Sequence, residues 1–303
     1  MIGELTEKAR TYENIAKNNN IDLNQSVKNF ITDILTMEEQ KVKEEKLSEE
    51  QERILELMRD KSLFKEYIKE KYGSFYFSYY NNILDKLKPQ YLTRALYLSS
   101  FMNYKNLLVE GTTRPSPIYE EDLQRILRLS RAEMFNTKKE LLAIDFLIIN
   151  DDKTLSINEK FCKKGEIMKS NKNQKARIFN DAIKELYENA KPSEHKKLAL
   201  LFKLLPYINL KWNIVCSNID EEIKEMVIPL TIKTLAEILG QSNVTRLKKD
   251  LLSLTVNGKP VVIITSVLDK NAILINPSIY YKGTRLEDVE HIEQLIEYTL
   301  SAV

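Results

Sequence analysis

Apolar residues recur at helical spacing over most of the chain, and the alternating runs are few and short. The pattern predicts a mainly α fold with short β-hairpins (α+β). Near the N-terminus, Ile31, Ile34, Leu35 and Met37 begin a helical stripe that enters a charged run. Between Met37 and Asp60 there are nine acidic and five basic residues, with Leu47, Ile54, Leu57, Met58 and Leu63 supplying an apolar stripe. That helix either packs on its own domain or pairs with a second copy or a partner helix, because no heptad pattern persists. Tyr72, Phe75, Tyr76, Phe77, Tyr79 and Tyr80 then crowd around Gly73, and they read as core anchors more readily than as base-stacking platforms.

From Tyr91, YLTRALYLSSFMNY predicts an amphipathic helix using Leu92, Ala95, Leu96, Leu98 and Met102, and the prolines of GTTRPSP at 111–117 then force a loop. A short helix is expected over 119–127, followed by RAEMFNTKKELLAI with Ser130 as its N-cap. That helix is expected to turn Met134, Phe135, Leu141 and Leu142 inward and Arg131, Asn136, Lys138 and Lys139 outward. FLIIN, the turn DDK and TLSIN read as a hairpin. The connector from Lys160 to Arg177 carries seven basic residues and one acidic residue, and is expected to be mobile. Beyond it, HKKLALLFKLLPYI predicts an apolar helix, WNIVC a strand, and TIKTLAEILG a helix capped by Thr231 and ended by Gly240. NVTRLKKDLLSL follows with Ser242 as cap, then strands VVIITS and AILIN with Gly258 and Asn271 at turns, and a last helix LEDVEHIEQLIEYTL.

The order repeats. L-x-x-I-L at Leu123, Ser130, KKELL at 138–142 and SINEKFCKKG at 156–165 reappear as L-x-x-I-L at Leu235, Ser242, KKDLL at 248–252 and LINPSIYYKG at 274–283. Lys138 and Lys248 are 110 residues apart and Gly165 and Gly283 are 118 apart, a period suited to two copies of a small domain. Helix, short turn, capped helix with a basic face, then hairpin is the order of a winged helix-turn-helix. The expected organisation is an N-terminal helical region over 1–90, a first module over 91–165, a basic linker and connecting helix over 166–190, and a second module over 191–303. The DNA-facing candidates are Arg131, Asn136, Lys138 and Lys139 in the first copy, and Asn243, Thr245, Arg246, Lys248 and Lys249 in the second. Arg pairs with guanine and Asn with adenine through two hydrogen bonds, while lysines hold phosphates. The first copy lacks the turn glycine and carries extra residues before its lysine pair, so its second helix is expected to be remodelled.

With Asn276, Pro277, Lys282 and Gly283 at its end, the second module resembles the winged helices of Firmicute plasmid and phage replication proteins of the RepL type. The likeness covers about 90 residues, and the first copy departs from it with Glu159 in place of the proline. The resemblance implies a double-stranded DNA-binding protein that regulates transcription or initiates replication.

Composition removes other classes. Two cysteines, Cys162 and Cys216, form no disulfide framework or zinc motif, and no apolar run is long enough for a membrane span. His195 and His291 are the only histidines, each expected on a helix surface. No phosphate-binding glycine loop or hydrolase motif occurs, so a non-enzymatic, cytoplasmic protein without cofactor, catalytic residue or metal is expected. A net charge of +2 requires any nucleic-acid surface to come from local clustering. The competing expectation is an interaction factor whose modules dock a replication or transcription protein, with acidic residues such as Glu140 and Asp250 interrupting the basic faces.

Overall fold

The computed structural model describes residues 2–19, 25–165, 175–267 and 270–301, in two compact units, Met1–Leu63 and Phe64–Val303. In the first unit, α1 (Ile2–Asn18) packs on the beginning of α2 (Gln25–Tyr72) through Ala9, Ile31, Ile34 and Leu35. Arg10 and Glu38 join the two helices at 3.0 Å. Of the stripe expected further along, Leu57, Met58 and Leu63 are exposed, and the side chains of Leu47 and Ile54 lie outside the described residues. Residues 64–90, which sequence grouped with the N-terminal helices, belong to the second unit.

The second unit is α+β, with its helices around small antiparallel sheets. Its first half contains β1 (Phe75–Ser78), α3 (Pro89–Ser99), β2 (Val109–Glu110), β3 (Ser116–Pro117), α4 (Leu123–Leu127), α5 (Arg131–Ala143), β4 (Leu147–Ile149), β5 (Leu155–Ile157) and β6 (Cys162–Lys163). Its second half contains β7 (Ala176–Phe179), α6 (Asn180–Glu188), α7 (His195–Phe202), α8 (Ile232–Ile238), α9 (Val244–Leu252), β8 (Thr255–Val256), β9 (Lys259–Pro260), β10 (Val262–Val267), β11 (Lys270–Ile275) and β12 (Tyr280–Tyr281). Helix α10 (Leu286–Ser301) follows.

The same hydrogen bonds recur in both halves. Leu108 N–H donates to Leu155 O and Val215 N–H to Ile273 O, each at 2.8 Å. Asn106 and Asn213 both adopt left-handed backbone, with φ of 58° and 52°, a conformation that asparagine tolerates better than most residues. The Asn106 amide donates to Ile157 O at 3.2 Å and Cys162 O at 2.7 Å; that of Asn213 donates to Ile275 O at 2.8 Å and Tyr280 O at 3.3 Å. Each asparagine thereby ties the end of its hairpin to the strand that follows. These bonds match Asn158 with Asn276 and Gly165 with Gly283.

Strands β12, β7, β1 and β6 form one four-stranded sheet in that order. Ser78 pairs with Cys162 and Phe77 with Lys163, just as Ile178 pairs with Tyr280 and Arg177 with Tyr281. Phe77 and Arg177 therefore hold the same place in their halves, and they face each other across the central β1–β7 pairing. Tyr76 opposite Ile178 and Ser78 opposite Ala176 complete a register with a local twofold axis at Phe77/Arg177. The connector expected to leave the modules free begins in β6 and ends in β7, so its two ends are fixed in this sheet; residues 166–174 lie outside the described residues.

Helix α3 is enclosed rather than amphipathic, since every residue from Leu92 to Ser99 is buried. It packs against α5, α6 and α7. Arg94 is only 3% exposed within it. Its Nε donates to His195 Nδ1 at 3.1 Å, Nη1 to Thr137 Oγ1 at 2.9 Å and Nη2 to Glu133 Oε1 at 3.3 Å. His195, expected at the surface, is 1% exposed and stacks on Tyr187. Because Arg94 donates to Nδ1, the imidazole is neutral with its proton on Nε2. Burial first, and the Arg94 charge second, push its pKa down to about 4. Asn271, expected at a turn, lies in β11 opposite Ser266, whereas Asn257 and Gly258 form the turn between β8 and β9.

Replacing Asn213 by Ala should destabilise the protein by about 2–4 kcal/mol, from two lost hydrogen bonds plus left-handed strain. Asn213→Gly should cost less, because it loses the bonds without the strain; equal losses in urea titrations would refute this account. Folding also makes His195 harder to protonate, so the unfolded chain takes up the extra proton as pH falls below about 6.5. The His195 contribution is complete above that pH and declines by about 3 kcal/mol as pH drops through about 4. Stability of His195→Gln measured from pH 7 to 4 should fall less steeply than that of the unmodified chain.

Candidate nucleic-acid interface

Two helix–turn–helix pairs, α4–α5 and α8–α9, carry the candidate residues. Helix α8 starts at its cap, Thr231, whose Oγ1 accepts Thr234 N–H at 3.1 Å, and ends at Gly240 with φ of 64°. In the first half the left-handed turn position is Arg128, with φ of 51°, held by an ion pair to Glu188 at 2.9 Å. A non-glycine residue accepts about 1 kcal/mol of strain there, which the surrounding contacts offset. Both turns close with the same bond: Gln241 N–H to Ala236 O at 2.8 Å, and Leu129 N–H to Gln124 O at 3.3 Å.

The second helix of each pair is capped. Ser130 accepts Glu133 N–H at 3.3 Å, as expected. On α9 the cap is Asn243 rather than Ser242, with Oδ1 accepting Arg246 N–H at 2.8 Å. One lone pair of its amide oxygen is thereby committed to the helix terminus. Helix α5 has 13 residues and α9 has 9. Thr137 and Leu141 are buried on α5 as Leu247 and Leu251 are on α9, so the extra turn of α5 lies before its lysine pair.

Thr245, Lys248 and Lys249 are exposed and, among the described residues, make no ion pair or side-chain hydrogen bond. Arg246 is 80% exposed in its side chain, with Nε 3.7 Å from Asp250. On α5, Arg131, Asn136 and Lys139 are similarly exposed and unpartnered among the described residues. Lys138 differs: it is half-buried, pairs with Glu120 and lies over the Phe135 ring. Its hydrogen bond, and then its charge, hold the Glu120 carboxyl below the usual range. Phe135, expected inward, is 57% exposed. The acidic residues beside the two lysine pairs are matched from outside their own helices, Glu140 by Lys88 at 3.7 Å and Asp250 by Lys197 at 3.8 Å. Sequence reasoning missed these two lysines and Arg94; the signal for Arg94 was one cation within the otherwise apolar YLTRALYL.

Behind each second helix stands a hairpin, β4–β5 or β10–β11. At the first tip Asp152 accepts from Thr154 N–H and Oγ1–H, leaving Lys153 exposed. Among the described residues no cluster of histidine, cysteine and carboxylate side chains can hold a metal, and no helix is long and apolar enough to cross a membrane. Comparison with protein-family models, with curated proteins and with solved structures finds no match to this chain.

If Asn243 acts as a cap, Asn243→Ala should cost about 1 kcal/mol and Asn243→Ser almost nothing. Thermal unfolding of the two variants checks this; an equal loss in both would deny the capping role.

Proposed function

We propose that the chain is a sequence-specific double-stranded DNA-binding protein of phage or plasmid type. Its two halves act as winged helix-turn-helix modules that present α5 and α9 to the major groove. The observation that carries this reading is the pair of capped, exposed helices whose Arg131, Asn136, Lys139, Thr245, Arg246, Lys248 and Lys249 have side chains left for a ligand. Matching of Glu140 and Asp250 by Lys88 and Lys197 lowers the repulsion a phosphate would meet at each lysine pair. Arg246 and Arg131 are assigned to base edges, and Lys139, Lys248 and Lys249 to phosphates. Lys138, engaged by Glu120, has the smaller role.

The local twofold relation between the halves supports an inverted pair of half-sites, since operator symmetry follows protein symmetry. The extra turn of α5 makes the half-sites unequal in sequence. Such a protein serves as a transcription regulator or a replication initiator and needs no enzymatic activity. The exposed Phe135 favours a second reading, in which α5 docks a replication or transcription protein while α9 holds DNA.

Selection from random duplex DNA at two salt concentrations tests the proposal. The expected result is an imperfect inverted repeat whose enrichment falls with salt. Arg246→Ala should weaken binding about tenfold or more and relax one base preference, whereas Lys249→Ala should weaken all sequences alike. No enrichment at low salt would overturn DNA binding; a single half-site unaffected by changes in α5 would favour the docking role for that helix.

A further inference from the structure

Where the first half meets α6 there is a cleft of about 560 Å³, within the range that holds small molecules. Its cations fall into two groups. Arg125 is engaged by Glu110 at 2.8 Å and Asp122 at 3.2 Å, and Arg128 by Glu188 at 2.9 Å. Lys164 and Lys184, by contrast, make no ion pair or side-chain hydrogen bond among the described residues. Their neighbours are aromatic: Lys184 Nζ lies 4.4 Å from the Phe101 ring centre and Lys164 Nζ 6.0 Å from that of Tyr104.

Burial holds both ammonium groups below the usual lysine range, and Lys184 lowers Lys164 further, while the Asp181 carboxylate acts in the opposite direction on both. The second half shows what the matching lysine does in a purely structural role. Lys282 is buried and donates to Leu205 O at 3.1 Å and Ile208 O at 2.9 Å. Lys164 has no such cage. A second observation points to a ligand: Asn180, which also lines the cleft, is 4% exposed and donates to Ser74 Oγ at 2.9 Å, yet its Oδ1 has no partner among the described residues. A buried acceptor of this kind calls for a donor.

We propose that this cleft binds a small phosphate-bearing molecule, with its phosphate against Lys164 and Lys184 and a hydroxyl or amino group donating to Asn180 Oδ1. Two cations facing one dianion make charge-assisted hydrogen bonds in a half-enclosed site, where they are stronger than at an open surface. The ligand would touch both halves at once, at α6 and at Arg128 in the α4–α5 turn. The inference does not rest on the DNA-binding reading.

Calorimetric titration of the full chain, free of DNA, with inorganic phosphate, adenosine monophosphate and adenosine provides the test. Saturable one-site binding of either phosphate compound is expected, with adenosine silent; tighter binding of the monophosphate would assign a nucleotide, and binding of inorganic phosphate alone a simpler phosphate. Lys164→Gln and Lys184→Gln should each weaken binding about tenfold or more, and Lys196→Gln, at an exposed lysine of α7, should leave it unchanged. Should either variant fail to fold, acylation of the unmodified chain decides: phosphate should slow modification of Lys164 and Lys184, and chloride at equal ionic strength should not. No saturable binding, equal affinity in folded variants, or absence of protection would overturn the site.

Discussion

The pairing of β1 with β7 sets the geometry on which the rest of the second unit depends. Phe77 faces Arg177 at the local twofold axis, and the outer strands β6 and β12 extend the sheet equally on both sides. Arg177 is half-buried there, with no carboxylate partner among the described residues, and its guanidinium lies 5.0–5.8 Å from the ring centres of Phe64, Phe75 and Phe77. Cation–π contacts of this type contribute about 0.5–2 kcal/mol each, and here they offset the desolvation that pulls its pKa down to about 10. The aromatic cluster around Gly73 is thus the seam between the halves.

A second set of contacts carries that seam outward to the candidate reading surface. From the middle of α3, Arg94 reaches α5 through Thr137 and Glu133 and α7 through His195. Removing one partner from a buried charged network leaves the others unsatisfied, which costs several times more than the network contributes net. The tilt of α5 is consequently set by the core shared between the halves. Helix α9 is anchored through Lys197 of α7, which contacts Asp250 and Ser253.

Much of the element order was legible because apolar periodicity and capping chemistry are local. Ser130, Thr231 and Gly240 act where their residue types suggested, and the two motifs ending in Lys-Gly were aligned by sequence in the register that the hydrogen bonds follow. What escaped was long-range. Apolar periodicity does not bring β1 beside β7 across about 100 residues, so a shared sheet looks in sequence like two tethered domains. His195 and Arg94 look like surface residues until each is seen to neutralise the other's burial. Asn243 and Ser242 are both acceptable caps, and only the geometry of the turn chooses between them. The candidate cleft left no linear signature, since Lys164, Asn180 and Lys184 gain meaning only from what fails to pair with them.

Fusing two related halves into one chain changes how their shared axis responds to mutation. In a symmetric dimer, every substitution at the axis occurs twice and must suit its own image. Here Phe77 can face Arg177, a left-handed turn can use Arg128 in one half and Gly240 in the other, and Lys164 can lie open where Lys282 is caged. Covalent linkage lets the halves diverge one residue at a time while the sheet that joins them keeps its symmetry.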